Sequence, residues 1–317
     1  MDIFFHDAAG DGKAASINPA PPFWFGHHWR NILDCRPFKS MAQPPPVAEL
    51  AVTGVSVSQG DINGGVRLRE QVGPLAIIGL PKCGNQFFAR CMQQTLGCEQ
   101  ISFCTTTNMI QQIIPQKLAE FAASPRAVGG QHLPPTTYNL RMLQTAGIDR
   151  VVLLFRDPRD AVISWWRHLD RPDVRDSQWR KILFAAGFQC RNYYDLSASE
   201  KLADLIDHMY PAMQRWMSDW SAVVDAPGPF RFHINLYESF VAEPAAAVRQ
   251  VLQFFGHDCE PVLPNAGKRN EVGIDPETHL RRGKVGSFRD ETPSQELIDR
   301  LNAQLDRTLA KRFGWKL

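Results

Sequence analysis

Four stretches of this chain have residue types and spacings suited to chemistry on a phosphorylated ligand. The first, Pro81-Lys82-Cys83-Gly84-Asn85-Gln86-Phe87, follows the apolar run Leu75 to Gly79 and precedes an amphipathic segment. A strand that feeds a lysine- and glycine-bearing turn and then a helix makes an anion site. Turn and first-turn N–H groups converge there, the helix dipole favours negative charge, and Lys82 adds a full positive one. Gly79 and Gly84 have the spacing of the nucleotide loop G-x-x-x-x-G-K-[ST]. However, Lys82 precedes Gly84 instead of following it, and Asn85-Gln86 stands where that loop places its lysine and the hydroxyl that holds Mg²⁺. The turn therefore reads as a phosphate loop without its usual magnesium ligand.

The second stretch, Arg156-Asp157-Pro158-Arg159-Asp160, puts a guanidinium at the end of an apolar run, with the hydroxyl of Ser164 two helical turns further on. Guanidinium supplies paired donors to a phosphate. The third, Gly129-Gly130-Gln131-His132-Leu133-Pro134-Pro135, sets one histidine, a candidate proton acceptor, between glycines and prolines. The fourth is a basic loop broken by glycine, Arg281-Arg282-Gly283-Lys284-Val285-Gly286. Taken singly, each has an ordinary structural explanation as a solvated turn, a charged helix start, a structural histidine or a surface run. Their joint occurrence, in this order, carries the information.

These residues need elements to position them. Leu75–Gly79 and Val151–Phe155 are continuous apolar runs, as expected of strands covered on both faces, and Phe230–Tyr237 reads as a third strand. Phe87, Phe88, Cys91, Met92, Thr95 and Leu96 recur at helical spacing before Gly97. Asp157 can cap, and Pro158 can open, the helix that carries Ser164. A helix from Glu243-Pro244 presents Ala247, Val248, Val251, Leu252 and Phe255. Thr292-Pro293-Ser294-Gln295 has capping-box form and precedes Leu297, Ile298, Leu301, Leu305 and Leu309 at the helical period. Trp165, Trp166, Trp179, Phe184, Phe188, Tyr193 and Tyr194 read as core or helix-packing residues. Alternating strands and helices predict an α/β fold: a central, mainly parallel sheet with helices on both faces, whose ligands bind beyond the carboxyl ends of the strands. Lys82 and Arg156 both fall at such ends. Residues 1–72 read instead as an irregular arm, with Pro19, Pro21, Pro22, Pro37, Pro44, Pro45 and Pro46. Phe23, Trp24, Phe25 and Trp29 argue against a purely disordered tail.

Read together, the four stretches resemble the cytosolic type of PAPS-dependent sulfotransferase, over roughly residues 73 to 315. Pro81-Lys82-Cys83-Gly84-Asn85-Gln86-Phe87 lies over that family's P-K-S-G-T-T-W loop for the 5′-phosphosulfate group. Arg156 and Ser164 match its 3′-phosphate motif, Gln131-His132-Leu133-Pro134 its K-T-H-L-P element, Tyr237-Glu238-Ser239 its Y-E-D, and Arg281-Arg282-Gly283 the start of its R-K-G-x-x-G loop. The resemblance implies a P-loop-like three-layer fold with residues 73–317 as the sulfotransferase domain. It also implies sulfuryl transfer from 3′-phosphoadenosine 5′-phosphosulfate (PAPS) to a hydroxyl or amine of a small molecule, without metal. Lys82, Cys83, Gly84, Asn85, Gln86, Phe87, Arg156, Ser164, Tyr237, Arg281, Arg282 and Gly283 would hold the donor. Lys82 would stabilise charge on the bridging oxygen, His132 would be the base and Ser164 a 3′-phosphate ligand.

The chain departs from the pattern in having Cys83-Gly84-Asn85-Gln86 in place of Ser/Thr-Gly-Thr-Thr, and Phe87 in place of the tryptophan that stacks on adenine. Asn and Gln amides can still donate to phosphate oxygens. Cys83 either substitutes for the family's serine or, beside Lys82 and a helix start, is an acidified, reactive thiol. The family's dimer motif has no counterpart, which leaves the oligomeric state open. Two other readings are a P-loop kinase, which requires Mg²⁺ and a nucleoside triphosphate, and a degenerate member that binds without turnover.

Composition sets the outer bounds. With 317 residues and 44% apolar content the chain can bury a large core. At 21% charged residues and a net charge of +2, nothing points to nucleic acid or to polybasic membrane attachment. Seven cysteines without a C-x-x-C pair suit a reduced compartment. The first residues lack a basic region and a long apolar run, and no window reaches the ~18 apolar residues of a membrane span, so a cytoplasmic location is expected.

Overall fold

The computed structural model describes residues 73–105, 110–171, 174, 183–184, 186–264 and 283–316. Arg281, Arg282, Trp179 and the amino-terminal arm lie outside the described residues. Five parallel strands form one sheet in the order β2-β3-β1-β4-β5: β1 (Leu75–Gly79), β2 (Glu99–Gln100), β3 (Ala127–Gln131), β4 (Arg150–Phe155) and β5 (Arg231–Leu236). Helices flank this sheet: α1 (Asn85–Leu96), α2 (Pro115–Ala123), α3 (Thr137–Thr145), α4 (Pro158–Leu169), α5 (Ala198–Asp225), α6 (Tyr237–Ala242) and α7 (Pro244–Phe255). The carboxyl-terminal part adds α8 (Ser287–Glu291), α9 (Gln295–Ala303) and α10 (Arg307–Phe313). This is the P-loop-like α/β arrangement.

The centre of the sheet is dry. Leu75, Ala76, Ile77 and Ile78 are fully buried, as are Val151, Val152 and Leu153, because β1 is paired on both edges and covered on both faces. In register, Ile77 lies opposite both Gly130 and Val152. The chain leaves β1 for β2 on one side and later returns to β4 on the other. The carboxyl ends of β1, β3 and β4 therefore meet where the winding reverses, and that is where such folds bind ligands.

A strand is added and two local readings are revised. Gly129-Gly130 lies in β3: the space a Cβ on Gly129 would need is taken by Phe103 and Phe121, at 2.5 and 3.0 Å. The helical period from Leu297 to Leu309 is split into α9 and α10. Ser294 caps α9 through Leu297 N–H, and Asp306 starts α10 by accepting from Thr308 and Leu309 N–H. Phe184 is 46% exposed, whereas Trp165, Trp166, Phe188 and Tyr193 are buried. The longest helix, α5, is fixed at its start by a capping box between Ser197 and Glu200 and runs through Pro211. Among the described residues, no helix is long and apolar enough to cross a membrane.

Candidate active site

β1 ends in a tight turn. Cys83 N–H donates to Leu80 O at 3.2 Å, with Pro81 and Lys82 between them. Lys82 has φ +71°, and among the described residues it is the one non-glycine with positive φ. Proline followed by a positive φ is the signature of a type II turn, so the lysine occupies the place that normally takes glycine. A backbone outlier of this kind in a ligand loop points to function. Gly84, also left-handed, then caps α1, whose first internal bond is Phe88 N–H to Gly84 O at 3.0 Å. The N–H groups of Asn85, Gln86 and Phe87 thus have no acceptor within the helix. Gln86 and Phe87 are half-buried, and the Phe87 ring meets Phe240 edge-on at 4.9 Å. Cys83 is buried, and its thiol pKa is pushed up by that burial despite the nearby Arg156 charge. The acidified-thiol reading is therefore set aside in favour of a small buried side chain.

His132 follows the last residue of β3, beside β1. Its Nδ1 lies 2.6 Å from Gly79 O, a distance that requires a proton between them, so Nδ1–H donates to the carbonyl and the lone pair of the neutral ring is on Nε2. The backbone is pinned around it. His132 N–H donates to Gln111 Oε1 at 2.6 Å, and Leu133 O accepts from both Trp216 Nε1 and Trp220 Nε1, each at 2.9 Å. Asn139 Nδ2 holds Pro134 O at 3.0 Å. Burial chiefly, and the Lys82 charge secondarily, lower the imidazole pKa to about 4, opposed by the bond to Gly79. The ring is neutral at pH 7.

Arg156 leaves the end of β4 and is buried. It donates to Lys82 O at 3.0 Å and to Lys284 O at 3.3 Å, and stacks on the Tyr237 ring at 4.0 Å. Its Nε is buried without a partner among the described residues. Asp160, one turn into α4, lies 3.9 Å from Arg156 and accepts from Gly286 N–H, Ser287 Oγ–H and Phe288 N–H at 2.7 to 3.1 Å. This carboxylate ties the carboxyl-terminal loop that begins at Gly283 to the arginine. Ser164 is half-buried one further turn along α4. Tyr237 serves as the platform under Arg156, and burial raises its phenol pKa.

The structure thus brings Lys82, the α1 start, His132, Arg156, Tyr237 and the Gly283–Ser287 segment to one end of the sheet. Sequence reasoning missed Asp160, Gln111, Trp216 and Trp220. Only Asp160 left a signal, its position four residues after Arg156 in a charged helix start. Chemically, the arrangement offers backbone donors and guanidinium for a polyanion beside a neutral imidazole.

A solved structure of mouse sulfotransferase SULT7A1 complexed with PAP is 15% identical, with 75% of this chain and 85% of that one covered at a TM-score of 0.45. A sulfotransferase from Alicyclobacillus acidocaldarius is 17% identical, with 76% and 99% covered at a TM-score of 0.41. No curated protein matches. The family model described as the sulfotransferase domain matches residues 74–312, well over half of the chain. This protein belongs to the sulfotransferase domain family.

Proposed function

We propose that this sulfotransferase uses PAPS as donor and a small-molecule hydroxyl (or amine) as acceptor, with His132 as general base and Lys82 as electrostatic catalyst. The observation that carries the reading is the pairing of His132 Nδ1–H with the carbonyl of Gly79, the residue from which the phosphate loop departs. Base and anion cradle are thereby joined across neighbouring strands. The donor's requirements fit the residues present. The N–H groups at the α1 start suit its 5′ side. Arg156, with a buried Nε lacking a partner among the described residues, suits a 3′-phosphate together with Ser164, Arg281, Arg282 and Gly283.

When bound, PAPS supplies the sulfuryl group and a nucleotide leaving group. His132 Nε2 takes the acceptor's proton, and its pKa of about 4 means the base is fully unprotonated at pH 7. Lys82 would supply the positive charge that stabilises the oxygen leaving with the nucleotide. Sulfuryl transfer resembles phosphoryl transfer in relying on positioning and charge. Since the loop lacks the Ser/Thr that would hold Mg²⁺, EDTA should leave the rate unchanged.

Calorimetric titration with adenosine 3′,5′-bisphosphate, compared with ATP and Mg²⁺, tests the donor site. Micromolar binding of the bisphosphate that is lost in Arg156→Ala supports it. Preference for Mg-ATP would favour a kinase, and binding without turnover of radiolabelled PAPS against a broad acceptor panel would favour a non-catalytic member.

A further inference from the structure

His132 sits one residue beyond the last pair that joins β3 to β1, Gln131 with Ile78, so the sheet itself does not fix its main chain. The bond from Nδ1 to Gly79 O holds one ring atom and accounts for the tautomer. A ring held at one atom can still pivot there, and the direction of Nε2 then depends on where the main chain places Cα and Cβ. A side chain from outside the sheet takes over that task. Gln111 is buried, and its Oε1 accepts from His132 N–H at 2.6 Å. The oxygen must be the atom that faces His132, since an N–H needs an acceptor. Gln111 thus supplies the carbonyl that a neighbouring strand would otherwise have offered.

Gln111 is in turn held by its own main chain. Asn139, buried in the first turn of α3, donates from Nδ2 to Gln111 O at 3.1 Å and to Pro134 O at 3.0 Å. Its Oδ1 accepts from Ile113 N–H at 3.1 Å. The same stretch is paired with Phe103–Thr105: Ile114 N–H donates to Phe103 O at 2.9 Å and Thr105 N–H to Gln112 O at 3.0 Å. One short segment therefore grips the histidine strand twice, at His132 itself through Gln111 and two residues on through Asn139. We propose that Gln111 is a positioning residue for His132: by holding the amide of the residue that carries the base, it sets the direction in which Nε2 meets the acceptor. The proposal rests on the reading of His132 as base. The contact is with the base's main chain, so its loss should be felt in transfer and not in donor affinity.

The test compares Gln111→Met, which keeps the length of the side chain and removes the acceptor, with Gln111→Glu, which keeps an acceptor oxygen. In full-length protein at saturating radiolabelled PAPS, transfer to a pooled phenol and alcohol panel should fall about tenfold or more in Gln111→Met and stay within about threefold in Gln111→Glu. Both variants should bind adenosine 3′,5′-bisphosphate within about twofold of wild type. The bond itself is read from the His132 amide in protein carrying nitrogen-labelled histidine, with His132→Gln to assign its signal. Exchange of that amide with solvent should be slow in wild type and in Gln111→Glu and faster in Gln111→Met, with the other histidine amides unchanged. A fast-exchanging His132 amide in wild type overturns the proposal even if neither variant folds. Faster exchange at every histidine amide of Gln111→Met would make Gln111 a stabilising residue only and would also overturn it. So would wild-type transfer in Gln111→Met, equal losses in the two variants, or lost bisphosphate affinity, which would place Gln111 in the donor site. The underlying reading fails separately: His132→Ala transferring as fast as wild type removes the base, whatever the amide shows.

Discussion

Two residues at the site carry opposite signatures in stability and chemistry. His132 has its pKa lowered to about 4 by burial and by Lys82, against an ordinary value of 6.5. Between these values the unfolded chain binds a proton that the folded one does not. This contribution to stability is therefore fully present above 6.5 and is lost as the pH falls toward 4. Urea midpoints of wild type should decline over that window more steeply than those of His132→Gln, and parallel profiles would show that the ring is not buried as described. Lys82 is the reverse case. Its φ of +71° costs an L-residue about 1 kcal/mol that glycine does not incur. Lys82→Gly should keep or raise the melting temperature while sulfuryl transfer falls by about a hundredfold. A fall in both would mean that the side chain's packing, not its charge, is what matters. Lys82, His132 and Arg156 were legible because their types are chemistry in themselves. Gln111, Trp216 and Trp220 were not, because they act on backbone groups whose meeting depends on strand register; Asn85 was named as a donor ligand, whereas its amide bonds to Leu80 O and Gly79 O.

At the scale of elements, β1, β4 and the helix starts were readable because burial on both faces leaves unbroken apolar runs, and because proline and aspartate mark α4. β3 was hidden, since Gly129, which leaves room for Phe103 and Phe121, interrupts the apolar run that would mark a buried strand. The α9–α10 break was hidden because Leu305 and Leu309 keep the period through it. What fixes α4 against the carboxyl-terminal helices is Arg159, which is 1% exposed. It forks onto Asp157 at 2.7 to 3.2 Å, donates to Asn302 Oδ1 and Lys316 O at 2.7 Å, and lies over Phe288 at 4.4 Å. Arg159→Ala leaves the Asp157 carboxylate buried without its partner, a loss of about 3 to 5 kcal/mol. The pair between Arg312 and Asp225 has two bonds but is exposed, so Arg312→Ala should hardly move the midpoint. Comparable losses in the two variants, measured by urea unfolding, would contradict this ranking.

For the molecule as a whole, the question is whether residues 73–317 form a domain without the arm. Composition separated the two regions: prolines without helical period up to 72, then strand and helix in alternation. The described body contains the five-stranded sheet, a continuous core from Leu75 on β1 to Trp315 beyond α10, and every described candidate site residue. The carboxyl end of this body is tied to α4, since Lys316 O accepts from Arg159, and the end of α7 is tied to β4, since Arg150 Nη1 donates to Phe255 O at 2.6 Å. A region of this length with a continuous core is large enough to fold independently. Deleting residues 1–72 should therefore leave a protein that unfolds in one cooperative transition and binds adenosine 3′,5′-bisphosphate within about twofold of the full chain. Intact binding with lost transfer would place the arm over the acceptor. Failure of the shortened chain to fold would show that the arm completes the core, and the boundary at 73 would have to be abandoned.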